Sequence, residues 1–136
     1  MAQQHNPAKL LATAKDFARR GWAVFPITPV QKAPPATKNG HNDATVNLEL
    51  IERWWSREPN YNIGIATGSP SGIWVLDVDG DAGEEALAGL VASHSLLPAT
   101  VEAQTRRGRY IFFRHPGQKI QCSAGSLGRK LDVRGD

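Results

Sequence analysis

Apolar residues recur along the chain at two different periods, and the switches between them outline the elements. Leu10, Leu11, Ala14, Phe17 and Ala18 repeat at helical spacing, with Asn6 as a cap, Pro7 in the first turn and Gly21 beyond the end, which predicts an opening amphipathic helix. Residues 22–27 form an apolar, aromatic and branched run bounded by prolines and read as a strand. A loop rich in Pro, Lys, Gly and Asn follows over 28–44. A second helix is predicted from about Asn47, with Leu50, Ile51, Trp54 and Trp55 on its apolar stripe and a stop at Pro59 and Asn60. The adjacent tryptophans read as core. Residues 62–67 and 73–79 read as strands joined through Gly68, Ser69, Pro70, Ser71 and Gly72, and hence as a hairpin. Asp81 with Glu84 has the pattern of a capping box, starting a third helix that buries Leu87, Leu90 and Val91. Strands are predicted at 101–105 and 109–114, around a basic turn at Arg106, Arg107 and Gly108, and again at 130–134.

This irregular mixture of helices, strands and hairpins predicts an α+β (mixed α/β) fold rather than a doubly wound parallel sheet. The 136 residues, of which 40% are hydrophobic, suffice for one globular unit with a real core. The sequence stops just after the last strand, which would leave a bare sheet edge, so the unit, 1–136, is expected to be part of a longer protein. No window has the apolar length of a membrane span and the first residues are polar, which predicts a soluble intracellular protein. The single cysteine, Cys122, excludes an internal disulfide and a thiolate zinc site. The net charge is only +3, but Arg106, Arg107, Arg109, Arg114, Lys119, Arg129, Lys130 and Arg134 crowd the last third, a plausible polyanion surface or simply solvated charge.

Alternation along residues 73–79 sends Asp77 and Asp79 to the same side of one strand, about 7 Å apart. Two carboxylates so placed repel unless a cation lies between them, and hard oxygen ligands suit Mg²⁺ or Mn²⁺, which keep waters and share substrate phosphates. Such ions support phosphoryl or nucleotidyl transfer. The pair alone leaves a second reading open, in which Asp77 ends a strand and Asp79 with Gly80 makes a turn. A calcium loop fails, because Ala82 and Ala88 stand where its glycine and bidentate glutamate belong. Tyr110, Phe112 and Arg114 share one face of their strand, and Asp132 and Arg134 share one face of theirs, so that a third carboxylate and neighbouring arginines could join the pair. Lys32 and Lys38 in the long loop could cover a phosphate. His5, His41, His94 and His115 lack metal-ligand spacing, and neither a GxxxxGK[ST] loop nor a GxGxxG turn is present.

The order of several short stretches resembles the bifunctional primase/polymerase N-terminal (prim-pol) family of the archaeo-eukaryotic primase superfamily. These are 21–26 (GWAVFP), 32–34 (KAP), 43–45 (DAT), 51–55 (IERWW), 62–68 (NIGIATG), 71–79 (SGIWVLDVD), 97–100 (LPAT), 108–113 (GRYIFF) and 131–136 (LDVRGD), spread over nearly the whole chain. The resemblance implies a two-part fold, an N-terminal αβ unit plus an RNA-recognition-like antiparallel or mixed sheet with flanking helices. It implies Asp77, Asp79 and Asp132 as catalytic ligands of Mg²⁺ or Mn²⁺. Tyr110 falls where the family has a phosphate-contacting histidine, a departure that removes a positive charge and leaves the task to Arg109 and Arg134, with Lys32, Lys38, Thr67 and Gly68 as further nucleotide-binding candidates. His115, an odd step along the strand, should face away. Arg106, Arg107, Arg114 and Lys119 would meet nucleic acid. The implied partners are nucleoside triphosphates, a single-stranded DNA template and a fused or associated helicase. The isolated domain is expected to be monomeric and cytoplasmic, associated with the nucleoid, and encoded by a bacterium, an archaeon, a phage or a plasmid. The implied activity is template-directed synthesis in replication of a mobile element; a primase-like module that only binds nucleotide or single strands, and an unrelated metal-dependent phosphoesterase, are the alternatives.

Overall fold

The stripe at 48–57 and the alternation at 73–79 serve two separate cores. The computed structural model describes residues 7–29 and 34–136, and the chain forms two units, Met1–Ala66 and Thr67–Asp136. Among the described residues, three α-helices and two antiparallel sheets make this an α+β structure.

In the first unit, helix α1 (Pro7–Arg19) and helix α2 (Leu48–Arg57) accompany an antiparallel strand pair, β1 (Val24–Ile27) and β2 (Asn62–Ile65). The Asn47 side chain caps α2 by accepting from the Glu49 and Leu50 amides at 3.0 and 3.2 Å. The cap expected of Asn6 lies outside the described residues. Ala14, Ala18, Val24, Ile51 and Trp55 form the core, and the buried Trp55 satisfies its indole N–H on the Tyr61 carbonyl at 2.9 Å. Trp54 packs only partly against this cluster, so one of the two tryptophans read as core is half at the surface. Within the segment expected to be plain loop, a short 3-10 turn, Gly40–Asp43, is pinned by Asn39, whose amide and side chain donate to Asp43.

The second unit is a five-stranded antiparallel sheet in the order β4 (Glu102–Gln104), β5 (Gly108–Arg114), β3 (Ile73–Asp79), β7 (Leu131–Arg134) and β6 (Ser123–Ala124). Helix α3 (Gly80–Ser93) leaves directly from the end of β3. Leu87 of α3 packs with Leu76, Val78, Ile111, Leu131 and Val133 into one core, the inward half of each strand's alternation.

Two local expectations are corrected. Strands β2 and β3 do not form a hairpin: β2 pairs with β1, while β3 lies between β5 and β7. The Gly68–Ile73 bridge closes the intervening turn, with Gly68 at φ +85° and Gly72 at φ +65°, but Ile63 and Ile65 pack with the first core and Leu76 and Val78 belong to the second. The capping box at Asp81 and Glu84 does not form either. The helix begins at Gly80, its cap position Asp79 makes no side-chain cap bond, and Glu84 is taken by Arg109.

Candidate functional site

The side chains of β3 that point away from Leu76 and Val78 define the site. With Leu76 and Val78 facing the core that α3 joins, Val75, Asp77 and Asp79 take the opposite face. Pairing fixes their neighbours. Asp77 lies directly between Tyr110 of β5 and Asp132 of β7, Val75 lies between Phe112 and Arg134, and Asp79 stands opposite Gly108. Directly opposed residues of antiparallel strands have Cα atoms about 4.5–5.5 Å apart. Three carboxylates, a tyrosine and an arginine thus share one patch, from strands distant in sequence.

Asp77, Asp79 and Asp132 keep 21%, 32% and 31% of their side-chain surface exposed, which shades them without sealing them. The Arg134 Nη2 stands 3.7 Å from Asp77 Oδ2 and 3.5 Å from Asp132 Oδ2, and the Arg107 Nε stands 3.6 Å from Asp79 Oδ1. The other Asp132 oxygen accepts the Gly125 amide at 3.1 Å. Burial pushes the Asp77 carboxyl above its ordinary pKa; Arg134 opposes this, and the charges of Asp132 and Asp79 add to it. Burial and the Asp77 charge likewise raise the Tyr110 phenol, so Tyr110 is neutral and a hydrogen-bond donor.

Gly108, which reads in the sequence as part of a basic turn, shapes the site. A Cβ there would strike the Val78 carbonyl oxygen, and the preceding Arg107 carbonyl accepts the Gly80 amide at 3.0 Å. Only glycine lets the β4–β5 turn approach the Asp79 end of β3 this closely.

The structure does not bring every expected residue to this patch. Arg109 is paired with Val78, on the opposite face, where it forks onto Glu84 at 2.7 and 3.0 Å and reaches Glu102 at 2.6 Å. Arg114 ends β5 on the carboxylate face, opposite Ile73, and is exposed, as are Arg106 in the turn and Lys119 in the loop after β5. The Thr67 hydroxyl donates to the Gly135 carbonyl at 2.8 Å and the Gly68 amide to the Ile73 carbonyl at 2.6 Å, so both donors are already used. Lys38 lies in the first unit, and Lys32 falls outside the described residues.

A second cluster was not foreseen at all. The Asp136 carboxylate accepts the Ser69 amide and hydroxyl at 2.9 and 2.8 Å and the Ile120 amide at 2.8 Å, and meets His115 Nε2 at 2.8 Å. These bonds, His115 first, hold it below the usual carboxylate range. They tie three loops together and explain where His115 goes. Nothing in the spacing of these residues announces the cluster, because its partners are brought together only by the sheet.

Among the described residues no group of three or more His, Cys, Asp or Glu converges tightly enough to enclose an ion alone. The donor chemistry nevertheless fits Mg²⁺ or Mn²⁺: three hard, partly exposed carboxylates on one face, one of them destabilised by burial and then by its neighbours' charge, match an ion that keeps waters and takes ligands from a bound phosphate.

An antiparallel sheet with α3 on one face and carboxylates on the other is consistent with a primase-like α+β domain. The chain belongs to the bifunctional DNA primase/polymerase N-terminal (Prim-Pol) family, whose family model matches residues 14–136. It is therefore a DNA primase/polymerase-type domain, with the nucleotidyltransferase-type activity and the nucleotide and DNA binding that this implies in general; the family is generally metal-dependent. No curated protein matches the chain. No helix among the described residues is long and apolar enough to cross a membrane.

Proposed function

We propose that the domain extends a primer or begins one on a single-stranded DNA template from nucleoside triphosphates, using Mg²⁺ or Mn²⁺ at Asp77, Asp79 and Asp132, in the replication of a plasmid, phage or integrated element. The observation that carries this reading is the row Tyr110, Asp77 and Asp132 with Asp79 two residues along, a concentration of anionic oxygens on an open sheet face. When bound, the ion would favour the attacking hydroxyl's ionised form and neutralise charge on the leaving pyrophosphate. The chain's own groups have separate tasks. Asp77, central in the row between Tyr110 and Asp132, is a candidate ligand, and Arg134 beside it offers a planar donor to triphosphate oxygens. Tyr110, neutral, donates one hydrogen bond where a histidine would add charge. Arg106, Arg107, Arg114 and Lys119 offer cationic contacts to template phosphates. Thr67 and Gly68, with their donors spent, act by shaping the loop and leave the phosphate contacts to others.

A second reading, a module that binds nucleotide or single strands without making bonds, draws support from Arg134 lying against Asp77 and Asp132 and from Tyr110 in place of a cation. One experiment separates the two. Primed and unprimed templates are incubated with the protein, nucleoside triphosphates and Mn²⁺, beside an Asp77→Asn, Asp79→Asn variant. Extension by the native protein and its loss in the variant support the polymerase; binding without extension supports the module, and degradation of the template would point to a phosphoesterase.

A further inference from the structure

The adjacent tryptophans of α2 face different ways, and the outward one lines a cleft that the proposed chemistry does not use. Positions 51 and 55 carry the core residues Ile51 and Trp55, whereas Leu50, Trp54 and Arg57, spaced at four and three residues, form the neighbouring stripe. That stripe is one wall of a cleft of about 360 Å³. Tyr61 and Pro26 continue it, and Thr37, Lys38 and Asp43 face them from the segment between β1 and α2. All of these residues belong to the first unit. The opposing wall is tied down: the Ala36 amide donates to the Pro26 carbonyl at 2.9 Å, Thr37 Oγ1 to the Gly40 carbonyl at 3.1 Å, and Thr45 pairs with Val24.

The polar inventory of the cleft is biased to donors. Trp54 carries an indole N–H, Tyr61 a phenol, Lys38 an ammonium and Arg57 a guanidinium fork. Among the described residues neither Lys38 nor Arg57 is within salt-bridge distance of a carboxylate. Asp43, the only acid among the described lining residues, has both oxygens engaged by Asn39, and the Lys38 charge also helps hold its pKa down. Two rings and two cations beside an open, ligand-sized hollow match a flat base and the phosphate attached to it.

We propose that this cleft binds single-stranded nucleic acid, one base against Trp54 and Tyr61 with adjoining phosphates on Arg57 and Lys38. The inference goes beyond the metal-dependent reading and needs neither an ion nor catalysis. The cleft is not enclosed, so a strand can continue beyond it, and the free nucleotide of the same chemistry is the alternative that the test separates.

The test measures binding of labelled oligothymidylate, and separately of thymidine triphosphate, to the full chain in EDTA over a range of salt. The Lys38→Gln, Arg57→Gln variant should bind the strand about tenfold more weakly, and its salt slope should flatten by about 1.4, because each phosphate contact to a single strand contributes roughly 0.7. Trp54→Ala should weaken the strand roughly five- to hundredfold and Trp54→Phe far less, with circular dichroism confirming that both fold. Unchanged affinity and slope in the double cation variant overturn the proposal, and so does a loss confined to the free nucleotide. Failure of native extension with cleft-dependent binding intact would sink the catalytic reading alone.

Discussion

Two aspartates of this chain have pKa values displaced in opposite directions, and their substitution should therefore have opposite consequences. Asp77 is raised, so its ionised form is disfavoured in the folded state, and the fold is relieved as pH falls through the shifted value. Asp77→Asn should melt at a higher temperature than the native chain near neutral pH, with the gap closing on acidification, while extension drops on the order of 10²–10³-fold, as when one preorganised electrostatic contact is removed. Thermal melts across pH and a primer-extension assay check both halves. Asp136 is lowered by His115, Ile120 and Ser69, so its contribution is present above the ordinary carboxylate pKa of about 3.9 and lost as pH falls below it. Asp136→Asn should melt lower than the native chain at neutral pH, with the deficit shrinking toward acid. Tyr110→His should raise kcat/KM for the nucleotide, since an imidazolium beside Asp77 supplies a cation at this position. No change would place Tyr110 away from the phosphates.

At the scale of elements, legibility in the sequence depended on how local the determining interactions are. Helices α1 and α2 were readable from the spacing of their apolar residues, and the two-residue alternation of β3 put Asp77 and Asp79 on one side. Which strand pairs with which was not readable, because Asn62–Ile65 and Ile73–Asp79 both look like hairpin arms and only their separate cores part them. Glu84 looked like a cap because its pull toward Arg109 comes from another strand. The two residues of β6 are too few to show a period. Asp132 and Arg134 were legible as one face of one strand, but their place beside Asp77 is a matter of pairing. Gly108 is the element-scale test of that pairing. Gly108→Ala must push β5 away from Val78, and should cost about 1–3 kcal/mol of stability in denaturant melts, with a loss of extension through the displaced Asp79 end.

Across the whole molecule, each unit has its own core, and the basic residues divide equally between the two units while the net positive charge falls in the first. Trp55→Ala in the first core should cost about 3–5 kcal/mol, measured by equilibrium unfolding, because the ring is fully buried and its N–H is satisfied. The basic residues of the last third should make DNA affinity fall steeply with salt.

The antiparallel pairing of β3 and β7 also acts as a checksum. Side chains on a strand change sides at every residue, so a slip of one position in β7 would drive Asp132 in among Leu87 and Ile111 and turn Leu131 or Val133 out beside Asp77. Stranding a carboxylate in oil costs several kcal/mol, so a misaligned copy of the sheet is rejected by its greasy side before its acidic side can be wrongly assembled. A chain that folds at all has thereby already put its aspartates in line.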